Sequence, residues 1–339
     1  MPEFTIDADI RRAHTLPSSF YADERFFELS REKIFARSWH LVGTAAEVHN
    51  LKTVTLLPGF LDEPVLLSED EGSLACLSNV CTHRGKILVD EPCYAGLIRC
   101  GYHGRRFSLD GSFLSMPEFE GVENFPSEAD NLRRLPLERW GELLFASLSP
   151  AASLSEFIGG AAAAIDIGPY AKAILTARRD YEVNAHWALY CENYLEGFHI
   201  PFVHHSLNKV VDYGTYTTDT YRYSSVQTGY EADGTLAGIY LFIFPNLMFN
   251  FYPWGISINV VRPVSPSRSV IEYLTYVSDE GKLGSGAGAD LDRVEIEDEA
   301  VVESVQRGIR SRFYDRGRYS TTREQGTHHF HRLIAEFLG

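Results

Sequence analysis

The chain has 339 residues, 45% apolar and 13% aromatic, a globular composition long enough for two domains. Its formal net charge of -15 argues against nucleic acid or an anionic membrane surface as a partner. Five cysteines are too few for a disulfide framework, and their odd number suits a reducing compartment. With no signal-peptide pattern and no apolar run of membrane-spanning length, the expected location is cytoplasmic.

In chain order, residues 22–37 place Phe26, Phe27, Leu29 and Ile34 among charges at helical spacing. From Trp39 the period shortens. HLVGTAAEV, TVTLL, EPVLLSE and SLACLSNV read as short strands parted by Gly, Pro and acidic residues. RRFSLDGSFL carries a hairpin signal at Asp110-Gly111, and LPLERWGELLFASL continues the strand-rich stretch to Leu148. The Ala/Gly-rich FIGGAAAAIDIGPYAKA marks a boundary. Beyond it lie an extended TARRDYEV, a helix expected over 185–203, and β-prone GIYLFIF, NLMFNFYPW and SVIEYLTYV. Glycine-rich 281–292 reads as a loop. It leads into an amphipathic helix opened by Glu297-Asp298, with Val301, Val302, Val305 and Ile309 on one side. The fold class is therefore α+β, a small all-β domain followed by a larger mixed one.

Within the first domain, Cys81-x-His83 and Cys100-x-x-His103 each pair one thiol with one imidazole, sixteen residues apart. A structural zinc site groups its ligands differently, as C-x-x-C and H-x(3–5)-H. One Cys and one His per loop suits a 2Fe–2S cluster with both thiolates on one iron and both imidazoles on the other, the Rieske arrangement. Gly85, Gly101 and Gly104 beside the ligands let backbone amides turn toward cluster sulfides. Ordinary core Cys and His beside turns would account for one such residue, not for four in this order. Cys76 and Cys93 match no ligand position and read as packing residues. The stretch CTHRG…CGYHG resembles the Rieske box of the Rieske non-haem iron oxygenases, α-subunit type. It departs in having Gly101 where relatives often have Pro, and Arg105 where they have Trp.

That resemblance implies a second metal, a mononuclear Fe(II) held by two His and one carboxylate with positions open to O2. In HWALYCENYLEGFHIPFVHH, Glu192, Glu196 and His199 fall on one helical stripe, and Pro201 would bend the chain so that His204 converges on His199. The segment is similar to the family's E/D-N-x-x-D/E-x-Y/F-H-x(4)-H motif, which implies His199 and His204 as ligands and Asn193 near the iron. The family's late acidic pair corresponds to Glu297-Asp298, which implies Asp298 as third ligand. Without the pattern, Asp298 would read as a carboxylate at a helix N-terminus. The resemblance further implies that Glu196 carries electrons between a cluster histidine of one subunit and an iron histidine of the next, in a homo-oligomer, usually a trimer.

The implied organisation is an N-terminal helical segment (1–37) packing on the catalytic domain, a Rieske domain (38–155), and a helix-grip-type catalytic domain with antiparallel sheet (156–339). Electrons would come from NAD(P)H through a separate reductase, with or without a ferredoxin. Arg84, Lys86, Arg99, Arg105 and Arg106 would form a docking edge for an acidic donor. Glutamate at the bridge and the closing GRYS…HHFHRL segment look most like the choline, carnitine and betaine monooxygenases. This ranks a small substrate such as a quaternary amine ahead of an arene to be hydroxylated. Tyr240, Phe242 and Phe244, and Phe249 and Phe251, alternate as a sheet core face, with some rings free to box a cation. His328, His329 and His331 read as structural. A Rieske electron carrier without a second iron and a zinc-bound module are the readings from other classes.

Overall fold

The computed structural model describes residues 4–170, 172–205, 207–283 and 291–339, so most of the glycine-rich loop expected at 281–292 lies outside the described residues. The chain divides into two compact units, one of residues 36–154 and one joining 1–35 to 155–339.

The N-terminal periodicity forms α1 (Ser18–Ala22) and α2 (Glu24–Lys33). Asp23 caps α2 by accepting the Arg25 N–H, and Phe26 and Phe27 are buried.

In the unit 36–154, β1 (His40–Thr44) is followed by β2 (Leu51–Leu56), β3 (Glu63–Asp70) and β4 (Ser73–Ser78). Next come β5 (Ile98–Arg99), β6 (Arg106–Phe107), β7 (Phe113–Ser115), β8 (Arg134–Leu135), β9 (Leu137–Trp140) and β10 (Leu143–Ala146). Three antiparallel sheets result, ordered β2-β3-β4-β8, β1-β10-β9 and β5-β6-β7. Strand β3 shows why its run is nearly all apolar. Leu66 enters one core with Leu51, Leu77 and Phe107, while Val65 and Leu67 enter another with Val42 and Leu144. The first core also takes in Cys81 and Cys100. Asp110-Gly111 makes the expected hairpin turn between β6 and β7, with Phe107 opposite Phe113. Cys76 packs as expected, but Cys93 is exposed, because only its backbone is used, paired with Leu51.

The other unit continues with α3 (Leu154–Ile158), α4 (Ala161–Ala164), β11 (Ile174–Val183), α5 (Trp187–Tyr194) and α6 (Ile200–Val203). Then follow β12 (Thr217–Thr220), β13 (Ser224–Tyr230), β14 (Leu236–Ile243), β15 (Leu247–Tyr252), β16 (Gly255–Ser265), β17 (Arg268–Val277), α7 (Leu291–Ile309) and α8 (Gln325–Leu338). Its antiparallel sheet is a meander from β12 to β17 closed by β11 on the far edge. Helix α5 packs on α7 and β16, and α8 on β12 and α2. Phe242 and Phe244 meet Phe330 of α8, as their alternation suggested. Phe251 pairs with Ile239 and so points to the opposite face, where Tyr170 covers it. His328 and His331 are buried in packing roles; His331 is bonded to Tyr319 and lies near Glu192.

Two local expectations are corrected. The helix expected over 185–203 is broken, since α5 stops at Tyr194 and α6 is a separate turn. Glu196 explains the break. Its carboxylate accepts the N–H groups of Phe198 and His199, which competes with the helical ladder. Pro201 then sits in the first turn of α6, where a missing N–H costs nothing, rather than kinking a longer helix. Helix α7 begins at Leu291, not at Glu297, so Asp298 lies beyond the first turn and the macrodipole does not explain it. The buried face of α7 runs through Glu295, Val302, Gln306 and Ile309, while Val305 is exposed.

Candidate functional site

The two Cys/His loops share one backbone design. Val80 bridges Ile87 and Arg99 pairs with Arg106, so each loop closes a short ladder. In the first, Cys81 N–H donates to Lys86 O and Gly85 N–H to Cys81 O; in the second, Cys100 N–H donates to Arg105 O and Gly104 N–H to Cys100 O. Gly85 at φ +72° and Gly104 at φ +75° hold the left-handed position that closes each loop. The repeat places both thiols inward and both imidazoles toward the surface. Cys81 and Cys100 are buried, whereas the His83 and His103 rings meet edge-on with centroids 4.9 Å apart. Burial raises the Cys81 thiol pKa despite N–H groups of His83 and Arg84 directed at it. Burial opposes but does not overcome the Tyr102 and His103 amides and neighbouring Cys81 that lower the Cys100 pKa. A donor set sorted into a thiol pair and an imidazole pair, with amides aimed at the sulfurs, fits a Rieske cluster.

Arg105 is not part of a surface edge. It is 2% exposed, paired with Asp130 at 2.6 Å, and packed against Phe113 and Phe125 at 4.8 and 5.5 Å from the ring centroids. Asp130 O also receives the Thr82 hydroxyl, so this buried pair ties the second loop to the first. Arg84, Arg99 and Arg106 are exposed and Lys86 half-buried.

In the other unit, α5, the α6 turn and α7 bring three of the expected ligands together. Nε2 of His204 lies 3.0 Å from Asp298 Oδ1 and Nε2 of His199 lies 3.6 Å from the same oxygen. One ligand atom from each of the three falls within 4.8 Å of the others. Each imidazole is held from behind by a carboxylate. His199 Nδ1 meets Glu196 Oε1 at 2.8 Å, and His204 Nδ1 meets Glu297 Oε2 at 2.8 Å. Both Nε2 atoms are thereby left for a metal, an arrangement that orients histidine ligands. Asn193 of α5 donates to Asp298 Oδ1 at 2.6 Å. Burial alone would lower the His204 pKa, but its bonds to Asp298 and Glu297 raise it. Two imidazoles and one carboxylate, open on one side, fit the facial triad of a mononuclear iron. Helix α5 is seated by His186, whose Nδ1 accepts the Ala188 N–H and whose own N–H donates to Gln306 of α7 at 2.7 Å. His186 is fully buried, which pushes its pKa down to about 3, so it serves as a neutral cap.

The triad opens onto a cavity of about 120 Å³. Six tyrosines contribute to its wall, Tyr190, Tyr194, Tyr216, Tyr240, Tyr252 and Tyr273. The sheet supplies a polar row that sequence reasoning missed. Gln227, Tyr240, Asn250 and Ser257 pair in register across β13 to β16 and so share one face. The available signal was a set of polar residues inside otherwise apolar strands, as in LMFNFY and GISINVV. Of the aromatics singled out by alternation, Tyr240 and Tyr252 line the cavity; Phe249, Phe251 and Trp254 do not.

Two family models match, the Rieske [2Fe-2S] domain over residues 38–126 and the ring hydroxylating alpha subunit (catalytic domain) over residues 213–339. Together with the fold and both donor sets they define the class: the chain belongs to the Rieske non-haem iron oxygenases, as an α-type subunit. It is 30% identical to the choline monooxygenase of Arabidopsis thaliana, over 98% of this chain and 85% of that one. It is 29% identical to the carnitine monooxygenase oxygenase subunit of Escherichia coli, over 99% and 98%. The crystal structure of the quaternary ammonium Rieske monooxygenase CntA with L-carnitine matches with a TM-score of 0.79 at 27% identity, each chain covered to 96%. Naphthalene 1,2-dioxygenase, with a TM-score of 0.75 at 17% identity over 96% of this chain and 92% of that one, shares the fold. The cofactors are accordingly a Rieske 2Fe–2S cluster and a mononuclear iron, with O2 as co-substrate and electrons from a separate partner.

Proposed function

We propose that this chain is the oxygenase component of a system that hydroxylates or oxidatively demethylates a small quaternary amine. The observation that carries the reading is the small tyrosine-walled cavity opening onto His199, His204 and Asp298. Tyrosine ring faces attract a quaternary cation. The curated relatives named for choline and carnitine support the same substrate class.

In this reading residues 38–155 form the cluster domain, and 156–339 the catalytic domain on which 1–37 pack. Cys81, His83, Cys100 and His103 hold the cluster, and His199, His204 and Asp298 hold the iron, whose chemistry is the activation of O2. Asn193 fixes the Asp298 carboxylate, and Glu297 fixes the His204 ring. Glu196 stands behind His199, the position from which a carboxylate links this histidine to a cluster histidine of a neighbouring copy. The working assembly is a homo-oligomer, a trimer, supplied by an NAD(P)H-dependent reductase with or without a ferredoxin. Inter-subunit electron transfer in the quaternary ammonium monooxygenase CntA supports the bridge by likeness. Five free cysteines suit a reducing compartment such as the cytoplasm, and among the described residues no helix is long and apolar enough to cross a membrane.

The test is O2 uptake by reduced protein challenged in turn with trimethylammonium compounds and arenes, in wild type and Glu196→Gln. Uptake should follow the quaternary amines. The variant should keep both metals and lose turnover by about a hundredfold or more. Near-normal turnover in Glu196→Gln would sink the bridging role, and uptake driven by arenes alone would sink the substrate class.

A further inference from the structure

Of Arg84, Lys86, Arg99, Arg105 and Arg106, only Arg105 is buried, so its charge is the one that water does not screen. Its carbonyl accepts the Cys100 N–H, and its guanidinium lies 5.7 Å from the Phe107 ring centroid and 4.8 Å from that of Phe113. Both rings belong to the core that takes in Cys81 and Cys100. The guanidinium therefore rests against the same apolar packing as the two thiols.

Asp130 meets this charge, but the pair is lopsided. The bond from Arg105 holds the Asp130 carboxyl below the usual carboxylate range, so both partners are ionised at neutral pH. The Asp130 side chain is 19% exposed against 2% for Arg105, and its second oxygen is occupied by the N–H and hydroxyl of Ser127. Water screens the carboxylate and leaves the guanidinium bare, so the two charges do not cancel on the thiol side. One-electron reduction of a Rieske cluster adds a negative charge, and net charge and burial are among the things that set its potential. A fixed cation at the edge of a low-dielectric core favours that added charge.

We propose that Arg105, partly offset by Asp130, is the fixed charge that raises the reduction potential of the cluster and so sets how readily it accepts an electron from the separate donor. Apart from this charge, the pair ties the two ligand loops together through Thr82 and the Asp130 carbonyl. The inference rests on Cys81, His83, Cys100 and His103 being the cluster ligands.

Anaerobic redox titration of the holoprotein, followed by its visible spectrum, tests it in wild type, Arg105→Met, Arg105→Lys and Asp130→Asn. Arg105→Met should lower the midpoint potential, a fall of about tenfold in the reduction equilibrium constant. Asp130→Asn should raise the potential, and Arg105→Lys, which keeps the charge, should lie closer to wild type than Arg105→Met. A pair that served only to tie the loops would shift Arg105→Met and Asp130→Asn in the same direction, because both substitutions break it. Shifts of one sign, or unmoved potentials with the cluster spectrum intact, would overturn the proposal. A raised potential in Asp130→Asn supports it even where Arg105→Met sheds its cluster, and an unchanged or lowered one overturns it. A wild-type protein without a Rieske spectrum would overturn the ligand assignment itself, and the proposal with it.

Discussion

Each histidine of the candidate iron site has its Nδ1 held by a carboxylate behind it and its Nε2 turned toward Asp298, and that division decides what the site can hold. Glu196 stands behind His199 and Glu297 behind His204, so neither ring needs the metal to fix its orientation. The trio that converges in the structure was legible in sequence as a candidate ligand set because His199 and His204 lie in one short motif and Asp298 follows an acidic residue. The role of Glu297 was not, because its partner is 93 residues away in sequence and only folding brings them together. Glu297→Ala should leave the fold and the cluster intact but weaken iron retention by about ten- to a hundredfold. Iron analysis after dialysis against a chelator, with the cluster spectrum as internal control, reads this out. Equal retention in variant and wild type would contradict the orienting role. Arg105 shows the opposite limit of sequence reading. As one of five basic residues near the cluster it looked like surface charge, yet Asp130 and three phenylalanines enclose it. Burial of a paired guanidinium is a tertiary fact that local composition does not carry.

Among elements, the junction between α5 and α6 matters most, because Glu196 and His199 both sit in it. Strand and helix periods located most of the longer elements but not β12, β13, α3 or α4, and they misplaced the start of α7 and the end of α5. Glu196 captures two N–H groups and ends the helical run that the apolar pattern would have continued. Helix α8 presses on the same junction. Gly326 lies so close to Leu195 that a Cβ there would stand 2.3 Å from the Leu195 carbonyl oxygen. Backbone cannot rotate away as a side chain can, so Gly326→Ala should push α8 off the junction and cost about 1–3 kcal/mol. Thermal unfolding measures that cost, and an undiminished midpoint would show that α8 does not brace the site. The sheet illustrates a second limit. Alternation located the apolar face, whereas the polar row of Gln227, Asn250 and Ser257 emerges only from the cross-strand register.

At the scale of the whole molecule, the acidic charge and the sparse cysteines argue against a nucleic-acid partner and a disulfide scaffold but name no activity. The activity became legible from two donor sets of different chemistry in one chain, sulfur with imidazole in residues 36–154 and imidazole with carboxylate in the other unit. Electron carriers need only the first set, and zinc modules neither in this form. Substrate class stayed beyond the motifs, because cavity walls come from five strands and three helices far apart in sequence. Single turnover of chemically reduced holoprotein bears most directly on the whole account. With about three irons per chain, exposure to O2 in the presence of choline should re-oxidise the cluster and yield oxidised amine, and His204→Ala should keep the cluster but form no product. Cluster re-oxidation without product for every quaternary amine offered, or a colourless protein holding zinc, would contradict it.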